Sequence, residues 1–159
     1  MTKNFVYFKE QPKHYTIGKT EKEGFLEEVT EAWECKWCYR ENVRILKCPA
    51  GYQWDGASVP RAGWTIIGIT PGGLADGPSL AHDIPYRAEG GKDVNKMCGC
   101  TISTLDGTRV IIDREEADWL FREFCIFAGM CKARARAAYR IVTVFGRRHW
   151  GGPMPSIKR

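Results

Sequence analysis

The stretch "DREEADWLFREFCIFAG", residues 113–129, is typical of a helix whose two ends are both marked in the sequence. Asp113 can cap its N-terminus, and Glu116 stands at the capping-box position. The positions that share one helical face are apolar: Ala117, Leu120, Phe121, Phe124 and Phe127. Gly129 can close the helix. This segment therefore predicts a helix that buries one face against the rest of the fold.

The residues before this helix predict a β-hairpin and a shorter helix. Residues 99–113, "GCTISTLDGTRVIID", have strand-forming residues on both sides of an Asp-Gly pair, which is a strong turn signal. Residues 78–88, "PSLAHDIPYRA", favour a short helix that Ser79 can cap. Pro85 should kink this helix or end it.

A basic amphipathic segment predicts the last helix, roughly residues 132–148, followed by a loose tail at residues 151–159. Its basic residues are Lys132, Arg134, Arg136, Arg140, Arg147 and Arg148. Such a cluster can meet nucleic acid, phospholipid head groups or an acidic partner. It can also be the solvated face of a helix, which the sequence favours. A nucleic-acid-binding module is therefore the least favoured function for this chain.

The N-terminal half is typical of strands and loops. Strand-forming segments stand at residues 4–8, 14–18, 25–37 and 42–48. A turn at residues 39–42 joins the last two, and a helix is an alternative for residues 22–36 because glutamate is frequent there. Residues 49–78 are rich in Gly and Pro, and a loop this long is uncommon without a function. The sequence therefore predicts an α+β fold: N-terminal strands and hairpins, a long Gly/Pro-rich loop, then a helix, a β-hairpin and two C-terminal helices, in a single domain over residues 1–150.

The composition fits a folded protein made in a cytoplasm. The chain has 159 residues, of which 43% are hydrophobic, and a net charge of +5. No apolar run approaches the ~18 residues that suggest a membrane span, so we expect no transmembrane segment. The N-terminus lacks the apolar stretch of a signal peptide. These features predict a cytoplasmic protein and leave later packaging into a particle open.

The seven cysteines allow a zinc site but do not favour one. Cys35 and Cys38 form a CxxC, and Cys98 and Cys100 form a CxC, so four thiolates are available. CxC is not a usual knuckle spacing, and no glycine follows the CxxC to turn it. The odd count without an export signal also argues against a disulfide framework. The sequence favours buried or incidental thiols over zinc.

A histidine, an acid and a tyrosine stand close together in the short helix. His82 and Tyr86 lie four residues apart and share a helical face, whereas Asp83 points away. A histidine that acts as a general base normally needs a third group to fix its tautomer. Asp118 is the best candidate for that group, which leaves Asp83 to bind a cation. The alternative is a structural histidine with satisfied hydrogen bonds, and the spacing alone favours that alternative.

The segment "DGASVPR", residues 55–61, offers three polar groups as candidate substrate-binding residues. Asp55 can be the acceptor of a tight turn, which the sequence slightly favours. Alternatively, Asp55 or Ser58 lies beside His82 as a further ligand or a polar wall of the pocket. A nucleophilic role for Ser58 lacks the GxSxG elbow that exposes a hydroxyl. Arg61 can bind an anionic group through two parallel bonds, or it can bond loop carbonyls.

Four segments together resemble an uncharacterised family of tailed-phage and prophage proteins, the domain of unknown function 1353. They are "GYQWDGASVPRAGW", "LAHDIPYR", "EADWLFREF" and "YRIVTVFGRRHW", and the similarity covers about residues 43–150. The DGASVPR and HDxxY elements in this order are quite specific to the family. The resemblance implies a bacteriophage protein located in the host cytoplasm or in the virion, with phage structural proteins as candidate partners.

The second half also resembles secreted phospholipase A2, which has a Gly-rich calcium loop, a helix bearing HDxxY, a β-wing and a helix with a second Asp. The matching positions are residues 68–77, His82-Asp83-Tyr86, residues 99–113 and Asp118. In that family the His activates a water that attacks an ester, the second Asp orients the His, the Tyr supports them, and the neighbouring Asp helps to hold calcium. The resemblance therefore implies a calcium cofactor at Asp83 and a lipid or other small-molecule substrate. The disulfide set and the YGCYCG pattern of the calcium loop are missing here, and Pro85 interrupts the motif.

Two functions remain close in rank on these residues. One is a small, phospholipase A2-like hydrolase of an ester or amide, with His82 as the base. The other is a noncatalytic phage structural or accessory protein, associated with the virion or tail, in which the same residues form a polar structural centre. The sequence leaves open whether the chain is an enzyme.

Overall fold

The computed structural model describes residues 3–20, 25–55 and 73–152. The strands in this part of the chain are β1 Phe5–Tyr7, β2 His14–Lys19, β3 Phe25–Val29, β4 Trp33–Tyr39, β5 Asn42–Cys48, β6 Gln53–Trp54 and β7 Thr101–Ser103. The α-helices are α1 Asp76–Arg87, α2 Arg114–Phe127 and α3 Lys132–Gly146. Short 3₁₀ turns cover Glu89–Gly91, Val94–Met97 and Arg147–His149. The predicted α+β class is confirmed.

A four-stranded antiparallel sheet has the order β1-β4-β5-β7. Its centre is the β4–β5 hairpin, in which Tyr39 pairs with Asn42. Arg40 and Glu41 have positive φ values of 50° and 69°, which a two-residue hairpin turn requires. The turn predicted at residues 39–42 is confirmed. The predicted strand over residues 25–37 is two strands, β3 and β4, and the helix alternative is wrong over the described residues 25–36.

A second, three-stranded sheet has the order β2-β3-β6. His14, the first residue of β2, joins this sheet to helix α1. Its Nδ1 lies 3.1 Å from Glu27 Oε2 on β3, and its Nε2 lies 2.9 Å from Asp76 Oδ2 at the start of α1. Burial by itself lowers the pKa of His14, but the hydrogen bonds to Asp76 and Glu27 outweigh burial and raise it above 6.5. A charged imidazole between two carboxylates therefore helps to fix the N-terminus of α1.

The core lies between the four-stranded sheet and helices α1 and α2. Buried residues from the sheet include Trp37 and Leu46, and they belong to one cluster with Leu80 and Ile84 of α1 and Leu120 and Phe124 of α2. A second cluster joins α2 to α3 through Phe121, Cys125, Ala135 and Ala138. Helix α2 is therefore packed on both sides, and it holds α1 in a fixed position.

The predicted limits of helix α2 are confirmed, but two details of the prediction are wrong. Asp113 caps the helix by accepting a hydrogen bond from the Glu116 N–H at 2.8 Å. The Glu116 carboxylate does not complete a capping box, because it accepts a bond of 2.7 Å from the Trp37 indole instead. Phe127 is 43% exposed, so it is not part of the buried stripe. Gly129 ends the helix with a φ of 112°.

Helix α1 begins earlier than the predicted residue 78 and continues past Pro85. The residue at its N-cap is Ala75, and the Ser79 hydroxyl instead donates to the Asp76 carbonyl at 2.9 Å, so the predicted cap is wrong. Pro85 does not end the helix, which continues to Arg87. Pro85 lies in the last turn, where its missing N–H removes one backbone hydrogen bond of the helix. The Ala88 N–H still bonds the Ile84 carbonyl at 3.2 Å.

The predicted hairpin over residues 99–113 is confirmed at its first strand and its turn. Strand β7 pairs with β5, and Asp106 Oδ1 accepts from the Thr108 N–H at 3.0 Å in the turn. The second arm forms an isolated bridge between Ser103 and Arg109, not a strand. The Val110 N–H still bonds the Ile102 carbonyl of β7 at 2.9 Å, and the chain leaves the sheet after it, because the Ile112 N–H bonds the Gly90 carbonyl at 2.9 Å.

Candidate functional site

The packing of α1 against α2 brings His82 and Asp118 into contact. His82 Nε2 lies 3.0 Å from Asp118 Oδ1, and both side chains are buried, with His82 6% exposed. The contact that the sequence analysis predicted between these two residues is therefore present. The roles of the two residues in catalysis stay predictions.

Tyr86 completes this contact from the same face of α1. Its hydroxyl donates to the same Asp118 oxygen at 2.5 Å, and its ring centroid lies 4.1 Å from that of His82. Burial and the hydrogen bond to Asp118 both raise the pKa of Tyr86, so the phenol is a neutral donor. Arg114, one turn before Asp118, lies 3.6 Å from its second oxygen. The carboxylate is thus held from three directions.

This arrangement fixes the tautomer of the neutral His82 ring. A carboxylate only accepts, so Nε2 donates to Asp118 and the lone pair is on Nδ1. The Nδ1 atom lies 3.8 Å from Asp83 Oδ1, which is too long for a hydrogen bond. Burial lowers the pKa of His82, but the hydrogen bond to Asp118 and the negative charges of Asp118 and Asp83 outweigh burial and raise the pKa above 6.5. The geometry is that of an oriented base with its basic atom facing Asp83.

Asp83 belongs to a second group of charges, centred on Arg87. Burial raises the pKa of Asp83 to about 6. Arg87 Nη2 lies 3.5 Å from Asp83 Oδ2 and 2.6 Å from Asp55 Oδ1. Arg87 Nη1 also donates to the Gln53 carbonyl at 3.1 Å. Asp55 therefore reaches the site through Arg87, and its role in binding a substrate stays a prediction. Ser58 and Arg61 lie outside the described residues.

The described residues on their own do not fit the calcium ion that the resemblance to phospholipase A2 implies at Asp83. The positive charge beside this carboxylate is the Arg87 guanidinium, and Asp83 is buried. No group of three or more His, Cys, Asp or Glu that could hold a metal ion is found among residues 3–20, 25–55 and 73–152. Residues 68–72 of the predicted calcium loop lie outside these ranges, so calcium stays a prediction.

The four cysteines weighed for zinc lie in two parts of the fold, strand β4 and the segment before β7. Cys35 and Cys38 are buried in β4, whereas Cys98 is exposed and Cys100 is buried at the edge of β7. Positions 35 and 38 of a strand point to opposite faces, because side chains alternate. The two residues of the CxxC therefore do not converge from the strand on one point.

Two site residues, Arg87 and Arg114, are missing from the sequence-based set. Each lies four residues from a buried aspartate, Arg87 after Asp83 and Arg114 before Asp118. This helical spacing is a recognisable signal for an ion pair. It becomes informative only once the aspartates are known to be buried, since a surface pair with the same spacing contributes little.

A family model described as "Protein of unknown function (DUF1353)" matches residues 29–142. No curated protein and no solved structure gives a significant match. No helix among the described residues is both long and apolar enough to cross a membrane. The phage origin and the likeness to phospholipase A2 stay predictions. Because the family model covers most of the chain, including α1, α2 and the aspartates of the site, the protein belongs to the family of proteins of unknown function DUF1353.

Proposed function

We propose that this protein is a hydrolase of ester or amide bonds in which His82 is the general base and Asp118 orients it. The observation that carries the proposal is the bond of 3.0 Å from His82 Nε2 to the buried Asp118 carboxylate. A base held by a buried acid, with its second ring nitrogen left to accept a proton, is the arrangement that activates a nucleophile. Tyr86 fixes the acid from the other side at 2.5 Å.

The proposed step uses water as the nucleophile. Nδ1 of His82 takes a proton from the water as the water oxygen bonds to the carbonyl carbon of the substrate. The tetrahedral intermediate then expels the alcohol or amine, which takes the proton back from Nδ1. Asp118 remains ionised and stabilises the imidazolium that forms between these two steps. A phospholipid or a small-molecule ester is the substrate that the resemblance favours.

The burial of the polar side chains in the site favours a second candidate, a noncatalytic phage structural or accessory protein. His82 is 6% exposed, and Arg87 links Asp83 and Asp55 into a buried ion group. Such groups also occur where a fold needs to fix one arrangement of its helices. In this second candidate, His82 and Asp118 hold α1 on α2 and react with nothing.

Hydrolysis assays separate the two candidates. We would assay phospholipids, short-chain esters and amides, each with calcium and with a chelator. His82→Gln should lower the rate of hydrolysis by about 100-fold or more, because general base catalysis contributes about that much. His149→Gln, at an exposed histidine, is the matched control and should keep the wild-type rate. Absence of hydrolysis in the folded wild type, or equal rates in both variants, would overturn the proposed base.

A further inference from the structure

The outward face of α3 and the turn after it carries positive charge that the candidate site does not use. From residue 124 to the last residue, the sequence contains no Asp or Glu. Lys132, Arg136 and Arg140 recur every four residues, and Arg147 follows near the same stripe of the surface. All four side chains are exposed. None of the four forms an ion pair with the residues that the structure describes.

Two apolar side chains lie exposed in the last turn of the same helix. Val144 is 70% exposed and Phe145 is 52% exposed, whereas Val142, two residues earlier, is buried. A helix with basic residues beside exposed apolar ones is typical of proteins that lie on a membrane surface. The phosphates of a nucleic acid would pair with the arginines but would leave both apolar side chains in water. A lipid surface can accommodate both kinds of side chain.

We propose that α3 and the turn after it bind an anionic phospholipid surface. The stripe of Lys132, Arg136, Arg140 and Arg147 contacts the head groups, and Val144, about 40° around the helix from Arg140, enters the boundary with the acyl chains. Phe145 lies about 140° from Arg140, so it reaches this boundary from the far edge of the exposed face. The occupant is a membrane rather than a soluble anion, because a free phosphate gains nothing from the apolar pair. Charge complementarity supplies the attraction, and the apolar pair supplies the preference for lipid.

This surface ends beside the candidate site. Trp150 packs on Tyr86 with ring centroids 5.1 Å apart, and the Gly151 N–H donates to the Tyr86 carbonyl at 2.6 Å. Gly146, the last residue of α3, lies so close that an added Cβ would be 2.6 Å from the Tyr86 hydroxyl. The Cβ direction of Gly146 points inward to Tyr86, so Tyr86, Asp118 and His82 lie behind α3, one helix diameter (~10 Å) from its outward face. Binding is measured without turnover, so the inference does not depend on the proposed hydrolysis.

Co-sedimentation with vesicles tests the inference directly. We would compare vesicles of phosphatidylcholine alone with vesicles that also contain phosphatidylglycerol. The test variant changes three cations of the stripe: Arg136→Glu, Arg140→Glu and Arg147→Glu. Its matched control makes the same charge change at exposed lysines elsewhere: Lys9→Glu, Lys47→Glu and Lys92→Glu. Binding to the anionic vesicles should fall about 100-fold or more in the test variant, because each basic residue contributes about fivefold. The control should lose far less.

Two further measurements make the test specific for lipid. Val144→Ser with Phe145→Ser should weaken vesicle binding without changing the net charge, and both positions are exposed, so the variant should fold. His82→Gln should bind vesicles as the wild type does, which separates a failure of the surface from a failure of the proposed base. Equal vesicle binding by the two triple variants would overturn the proposal. Tight binding of duplex DNA by a wild-type protein that ignores anionic vesicles would also overturn it, in favour of nucleic acid.

Discussion

Replacing Asp118 by Asn should lower the pKa of His82. The substitution keeps the size of the side chain and leaves an oxygen that can accept from His82 and Tyr86. It removes the negative charge that lies 3.0 Å from His82 Nε2. Burial lowers the pKa of His82, and the bond to Asp118 is the largest of the contributions that raise it. With the charge removed, burial should dominate.

The size of the change follows from the energy of the bond that is weakened. A buried hydrogen bond to a charged group contributes about 1.5–3 kcal/mol. Since about 1.4 kcal/mol corresponds to one pKa unit, the pKa of His82 should fall by about 1–2 units. Asp83 Oδ1 remains 3.8 Å from Nδ1 and opposes part of the fall. We therefore expect a wild-type pKa above 6.5 and a lower pKa in the variant.

Nitrogen-15 NMR of the histidine side chains measures this pKa directly. The chain has three histidines, so three titration curves are expected, and substitution of His14 and His149 assigns them. Tyr86→Phe is the matched control, because it removes the donor at 2.5 Å from Asp118 but keeps the carboxylate. A carboxylate with fewer donors attracts a proton on His82 more strongly, so this control should not lower the pKa of His82.

Stability against pH gives an independent check with a definite sign. Because the folded pKa of His82 is raised, its contribution to stability is fully present below about pH 6.5 and is lost as the pH rises through the folded pKa. In Asp118→Asn this dependence should disappear or reverse, as urea unfolding at several pH values would show. A pKa of His82 that is the same in wild type and Asp118→Asn, or that falls equally in Tyr86→Phe, would refute the orienting role of Asp118.

Three more predictions follow from single contacts. The hydrolysis rate should rise with pH along a limb centred above pH 6.5, because His82 must lose its proton to act as a base; a limb centred below that value in a pH–rate profile would contradict the assignment. His14→Gln should cost about 1–3 kcal/mol near pH 5.5, and the cost should shrink as the pH rises through the raised folded pKa of His14, as urea unfolding would show. Gly90→Ala should cost about 2 kcal/mol or more, because its Cβ would lie 1.7 Å from the Ile112 carbonyl oxygen. Gly51→Ala, also at positive φ but with nothing within 4 Å, should cost less in the same unfolding assay.

The predictable parts of the fold are those in which local signals agree with the packing. Helix α2 has a cap, an apolar stripe and a closing glycine, and strand β5 has strand-forming residues that pair with β4 along its whole length. The failures are of another kind. Glu116 makes its bond to Trp37, which is distant in sequence, and the chain leaves the sheet after Val110 for a bond from Ile112 to Gly90. These choices depend on partners that no window of neighbouring residues contains.

The site was predictable where one helix spacing and one long-range partner were enough. His82, Tyr86 and Asp118 meet as the sequence analysis predicted. The contact between Arg87 and Asp55 was not predictable. It depends on how the tertiary structure brings residue 55, far before α1 in the sequence, against that helix. The sequence indicates which groups are reactive, whereas the burial of the Asp83 carboxylate beside the Arg87 guanidinium depends on the tertiary structure.

The two ring nitrogens of His82 differ in their partners, and this difference bears on function. Asp118 is bonded by His82 and Tyr86, and Asp83 is paired with Arg87, so each acid has a partner from the protein. Between these two groups, His82 Nδ1 and Asp83 Oδ1 are 3.8 Å apart. A purely structural residue at position 82 needs only the bond to Asp118, which the amide of glutamine can also donate. The bond to Asp118 therefore does not by itself explain a histidine at this position. We expect the attacking water to donate to Nδ1 from beside this contact, because 3.8 Å leaves no room for an oxygen between Nδ1 and Asp83 Oδ1.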